Sequence, residues 1–153
     1  LGAAWRCALV LDGRAYWLAL ANKALEQMDA RLAVRVYRQL GDAGMVQGLQ
    51  RLLYVEDKHL LAGHIALLLG DYPRAQDLFL ASSRPRAALE MRRDLLHWDQ
   101  ALKLAHTLAP HQVAELSVEH AQQLEFRGEY EQALRSYETA LADREGGGGG
   151  GGG

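Results

Sequence analysis

The stretch Gly128-Glu129-Tyr130-Glu131-Gln132-Ala133-Leu134-Arg135-Ser136-Tyr137-Glu138-Thr139-Ala140-Leu141 decides the fold. Tyr130, Ala133, Leu134, Tyr137, Ala140 and Leu141 fall at i, i+3, i+4, i+7, i+10 and i+11, which predicts a helix with one buried stripe. The stripe recurs. Ala30, Ala33, Tyr37 and Leu40 repeat its spacing, as do Tyr72, Ala75, Phe79 and Ser82. Trp98, Ala101, Ala105 and Leu108 repeat it with a small residue in place of the second aromatic. Each copy follows another helical stretch, at 14–27, 56–69, 85–95 and 112–127, so the repeating unit is a helix pair.

Boundary residues agree with the pairing. Gly70 suits the left-handed backbone that ends a helix, Asp71 can cap the next one, and Pro73 falls in its tolerant first turn. Gly128 ends a helix before Glu129 and Tyr130, Asp29 starts one before Ala30, and Ser83 before Pro85 reads as another start. Residues 43–54, after Gly41 and Asp42, read as an extra helix that makes the repeat irregular. Sustained alternation of period two, the strand signal, is absent.

Alanine has a mechanical role in such pairs. Packed helix axes lie about 8 to 10 Å apart depending on the side chains at the crossing, and alanine allows the closest approach. A ring one turn later fills the gap beyond. One hairpin alone would leave an apolar face in water, whereas stacking buries it. The expected fold class is therefore all-α, a right-handed α-solenoid over 1–145, with the polyglycine at 146–153 as a tail or linker.

The bulk composition narrows the functional classes. Of 153 residues, 49% are hydrophobic and 24% charged, enough to build a core. The 17 basic and 19 acidic side chains are interleaved, giving a net charge of -2, so no electrostatic case for nucleic acid or an anionic membrane arises. Cys7 is the only cysteine, which leaves no internal disulfide or thiolate cluster and fits a reducing compartment such as cytoplasm. The apolar run at 65–69 is far short of the roughly 20 residues of a membrane helix. The chain starts on Leu1 with no signal-peptide pattern and reads as an internal piece of something longer.

The residues carry a resemblance. Gly128, Glu129 and Tyr130 with Ala133, Tyr137 and Ala140, and Ala121 seven residues before the glycine, resemble the second half of a tetratricopeptide repeat. Gly63 with Gly70, Tyr72, Ala75 and Phe79 resembles it again, and Trp17 and Ala21 ahead of Ala33 and Tyr37 supply first-helix positions. The anchoring alanines Ala33, Ala75, Ala101 and Ala133 are unevenly spaced, so the array is degenerate. Trp5-Arg6-Cys7-Ala8-Leu9, Ala81-Ser82-Ser83, Ala87-Ala88-Leu89-Glu90-Met91-Arg92-Arg93-Asp94-Leu95 and His97-Trp98-Asp99 resemble the helical tails of WD-repeat subunits of intraflagellar transport complex A. This resemblance implies a scaffold whose partners are other complex A subunits. It also implies work in cytoplasm, basal body and cilium, and an indirect link to dynein-driven trains and membrane-protein cargo. A coatomer-like vesicle-coat subunit shares the architecture and is the alternative.

Catalytic patterns are lacking. His59, His64, His97, His106, His111 and His120 have neither ligand spacing nor a cysteine companion, so no metal is expected. Gly41, Gly44 and Gly48 lack the strand and the Lys-Ser/Thr of a phosphate loop, and no cofactor is expected. Glu129 and Glu131 sit at a helix start, where negative charge favours the dipole. Arg84, Arg86, Arg92 and Arg93, mixed with Glu90 and Asp94, read first as a solvated helix face and second as a docking patch for an acidic neighbour. Asn22 and Lys23 suggest a carboxylate clamp, against which stands the roughly 100° between adjacent helical residues. Trp17 and Trp98 are expected in the core, and Trp5 is the tryptophan expected at the surface.

Overall fold

The computed structural model describes residues 1–11 and 13–146, and the glycines at 147–153 lie outside the described residues. Among the described residues ten α-helices follow in order: α1 (Gly2–Leu11), α2 (Arg14–Glu26), α3 (Ala30–Leu40), α4 (Ala43–Leu52), α5 (Lys58–Leu68), α6 (Tyr72–Leu80), α7 (Arg86–Asp94), α8 (Trp98–Leu108), α9 (Val113–Phe126) and α10 (Tyr130–Gly146). A short 3₁₀ turn, Pro110–Gln112, precedes α9. No strand occurs among the described residues. The chain is an all-α succession of helical hairpins, each helix packed mainly on its chain neighbours. The helices form two compact units, Leu1–Arg84 and Pro85–Gly153, where the sequence reads as one array.

The hairpins close by one device. The residue after the first helix enters left-handed backbone, and the following N–H donates back to the last turn. Met28 (φ 57), Gly41 (φ 73), Gly70 (φ 77), Leu96 (φ 58) and Gly128 (φ 81) hold that position. The bonds that follow run from Asp29 to Ala24 (2.8 Å), Asp42 to Tyr37 (3.0 Å), Asp71 to Ala66 (2.9 Å), His97 to Arg92 (2.9 Å) and Glu129 to Leu124 (2.9 Å). Three of these turns end on an aspartate that also caps the next helix. Asp29 accepts from Leu32 N–H at 3.0 Å, Asp42 from Met45 at 3.1 Å and Asp71 from Arg74 at 3.3 Å. His97 makes no such capping bond.

This turn fixes the packing register. Counting from it, Ala21, Ala33 and Tyr37 in the first hairpin occupy the places of Gly63, Ala75 and Phe79 in the next, and of Ala121, Ala133 and Tyr137 in the last. All the small residues of these sets are buried. Gly63 shows why the place must be small: a Cβ there would stand 2.7 Å from the Phe79 ring. In the α7–α8 hairpin the same places hold Leu89, Ala101 and Ala105. There the bulk has moved from the second helix to the first, and all three residues share one buried cluster with Val113 and Leu116. The first unit has its own cluster around Trp17, Leu25, Val36, Leu49 and Ile65.

Several sequence expectations need correction. Ser83 does not start α7: Pro85 stands at the cap without a side-chain bond, and the Ser83 N–H instead reaches back to Asp57. The extra helix ends at Leu52 rather than 54, and the last helix runs on through Gly146. Tyr130 is 69% exposed, and Leu134 and Leu141 are also exposed. The α9–α10 hairpin buries only the alanine side of that stripe, and no described helix follows to cover the rest.

Left-handed backbone costs a side-chain-bearing residue about 1–2 kcal/mol, part of which glycine returns through its greater chain entropy. Leu96→Gly is therefore expected to stabilise the chain by about 0.5–1 kcal/mol in urea unfolding, and Gly128→Leu to destabilise it by a similar amount. A Leu96→Gly variant less stable than the parent contradicts this reading of the turn.

Candidate interaction surface

The packing residues line the inside of the hairpins. Trp17, Ala21, Ala33, Tyr37, Gly63, Ala75, Phe79, Ala101, Ala105, Ala121, Ala133 and Ala140 are buried, and Tyr72, Trp98 and Tyr137 are half-buried. The polar atoms of Tyr137 and Trp98 hold helices together. The Tyr137 hydroxyl donates to Glu125 at 3.0 Å, which raises its pKa and ties α10 to α9. The Trp98 indole N–H donates to Gln123, and its ring stacks on His120 at 5.4 Å between centroids. Burial first, then Arg127, lowers the His120 pKa, against the opposing charges of Asp99 and Glu129.

Trp5 is not a free surface anchor. It meets Trp17 edge-to-face at 4.8 Å, and the Arg35 guanidinium lies over its ring at 4.5 Å. Lys23 pairs with Glu26 at 3.0 Å on the exposed face of α2.

The predicted arginine patch separates. Arg92 is buried, and its guanidinium donates to His97 Nδ1 at 2.9 Å, which requires that nitrogen to be the acceptor. Arg93 grips Glu119 with two bonds, one from Nε at 2.8 Å, so its charge joins α7 to α9. Arg84 and Arg86 are exposed but belong to different units. The sequence missed these roles because His97 and Glu119 reach the arginines only after folding.

What remains open is apolar surface and grooves. Tyr54 is 87% exposed and Phe126 94% exposed, and Tyr130, Leu134 and Leu141 form an uncovered stripe on α10. A groove of about 430 Å³ lies between α3 and α4, lined in part by Tyr37, Arg38, Asp42 and Val46. Burial and the charge of Asp42 raise the Tyr37 pKa there. A second groove runs between α4 and α5. Among the described residues no group of three or more His, Cys, Asp or Glu is placed to hold a metal ion, and no helix is long and apolar enough to cross a membrane.

The chain is a succession of helical hairpins with small residues at buried positions, closed by left-handed turns. The family model for the IFT80/172/WDR35/WDR19 TPR domain matches residues 16–141. The chain belongs to this family. It is 51% identical over 138 residues to WD repeat-containing protein 19 of Homo sapiens, covering 90% of this chain and 10% of that protein. It is 39% identical over 140 residues to WD repeat-containing protein dyf-2 of Caenorhabditis elegans, covering 92% of this chain and 10% of that protein. The intraflagellar transport protein 172 homolog of Drosophila melanogaster is more distant, at 30% identity, with 81% of this chain and 8% of that protein covered. The chain thus spans about a tenth of the length of these relatives.

One carboxylate in the family domain is held by an unusual number of donors. Asp57 caps α5 through His59 N–H at 2.9 Å and Leu60 N–H at 3.1 Å, and its other oxygen accepts from Ser83 N–H at 2.7 Å. The Ser83 bonds chiefly, then the N–H groups of α5, lower its pKa from 3.8 to about 2. A depressed folded-state pKa stabilises above the unfolded value and loses that contribution as pH falls through the folded one. Asp57→Asn is expected to lower the melting temperature by a constant amount above about pH 5. That gap should narrow below the unfolded pKa of 3.8 and be nearly closed at about 2. A gap that persists unchanged through this window refutes the charged three-donor site.

Proposed function

We propose that this chain is a non-catalytic scaffold segment of an intraflagellar transport complex A subunit. On this reading its hairpins hold neighbouring subunits of the complex in the cytoplasm, at the basal body and in the cilium. Dynein-driven return trains and entering membrane receptors are reached through those subunits, not by direct contact. The observation that carries the reading is the 51% identity to WD repeat-containing protein 19 over 90% of the chain. The physical design suits it. Side chains that could do chemistry are spent on packing, as with Arg92 and Arg93, while exposed aromatics such as Tyr54 and Phe126 remain for contact. Helical hairpins present outward surface for contact with little demand on any single residue.

The test is removal of residues 5–141 from the full-length protein in ciliated cells, followed by affinity purification of the other complex A subunits. The expected result is a loosened assembly, with those subunits recovered several-fold less. Full recovery of an intact complex, or localisation of the parent protein to Golgi membranes instead of the ciliary base, contradicts the proposal.

A further inference from the structure

Helix α4 contains a glycine that its own unit does not require. Gly48 has no positive φ, and a Cβ built on it would meet nothing within 4 Å. Glycine inside a helix costs about 1 kcal/mol relative to alanine, and one compensating use is to let another backbone come close. At Gly63 the Phe79 ring takes the space a Cβ would need. Gly48 has only open space.

That space is a groove of about 350 Å³. Gly48 and Leu52 of α4, Val55 of the turn after it, and Leu67 and Leu68 of α5 form its apolar walls. Its ionisable lining residues are Arg51 and His64, and no carboxylate among the described residues pairs with Arg51. Burial first, then the charge of Arg84, lowers the His64 pKa and leaves Arg51 as the groove's fixed charge. The nearest acids in sequence, Glu56 and Asp57, are outside the lining, and Asp57 is held by Ser83. Tyr54, next to Val55 in the chain, projects into solvent, as interface anchors do.

We infer that this groove receives a helix of a partner protein, crossing α4 at Gly48 with an apolar stripe and setting a carboxylate against Arg51. A helix fits because the groove lies between two helices and offers no strand edge to extend, while a glycine at the crossing permits the short end of the usual interaxial range, about 8 Å. The acid fits because the guanidinium takes a carboxylate through two parallel bonds. The inference rests on the groove alone and stands or falls apart from the membership of any complex.

The experiment uses the whole chain and two fluorescent helical peptides with one Leu/Ala stripe, flanked in one by glutamates and in the other by lysines. Fluorescence anisotropy is measured on the parent, Gly48→Leu and Arg51→Glu. The leucine enters open space, so Gly48→Leu is expected to melt at or above the parent temperature while blocking the crossing. The glutamate peptide is expected to bind the parent and to bind each variant about tenfold more weakly, a loss the lysine peptide reverses on Arg51→Glu. No binding, equal binding to parent and Gly48→Leu, or no preference for the glutamate peptide overturns the inference. Self-association of the parent that Gly48→Leu abolishes assigns the groove to a second copy, which also overturns it.

Discussion

The structure depends on the step that the chain takes into left-handed backbone between paired helices. That step sets where the second helix begins, and the bond back to the preceding turn fixes its phase. Once the phase is fixed, the same two places recur in the α2–α3, α5–α6, α7–α8 and α9–α10 hairpins, while the α3–α4 turn at Gly41 does not share them. Ala21 and Tyr37, Gly63 and Phe79, and Ala121 and Tyr137 are three versions of one pairing by register, a small residue on the first helix and a ring on the second, and at Gly63 the Phe79 ring stands 2.7 Å from where a Cβ would be. Leu89 and Ala105 are the fourth version, with the sizes exchanged. The crossing has room for one large side chain, and which helix supplies it is free.

Much of this was legible in the sequence, for physical reasons. The second helix of each pair announces itself because its alanines recur at fixed spacing, and the turns at Gly70 and Gly128 because glycine is the ordinary occupant of left-handed backbone. Met28 and Leu96 give no such signal. An apolar residue in that conformation looks like one more position in a helical run, and only the shared register with Gly70 and Gly128 would have exposed it. The helical stretch at 85–95 was legible, but the exchange at Leu89 and Ala105 gave it no small residue to match the other first helices.

The surface was less legible than the core. A mixed run such as Arg92, Arg93 and Asp94 reads as solvated because charge pattern alone does not report which partners folding will bring. His97 takes Arg92 inside, and Glu119, far along the chain, takes Arg93. Tyr130 erred in the opposite direction. Its periodicity assigns it to the stripe, but a stripe position is buried only where a helix lies against it. In this family domain Arg92, Arg93, Trp98 and Tyr137 are engaged in ties within the helical hairpins, while apolar surface and grooves face outward.

The claim of one fixed crossing with room for one large side chain is tested most directly by a double-mutant cycle on the α7–α8 hairpin, read by urea unfolding. Leu89→Ala alone should cost about 2–5 kcal/mol by leaving a cavity, and Ala105→Phe alone about 1–3 kcal/mol by overfilling. Together they recreate the size order of the other three hairpins, so the double variant should recover at least about 1 kcal/mol relative to the sum of the two losses. Strict additivity of the two losses would contradict the shared register.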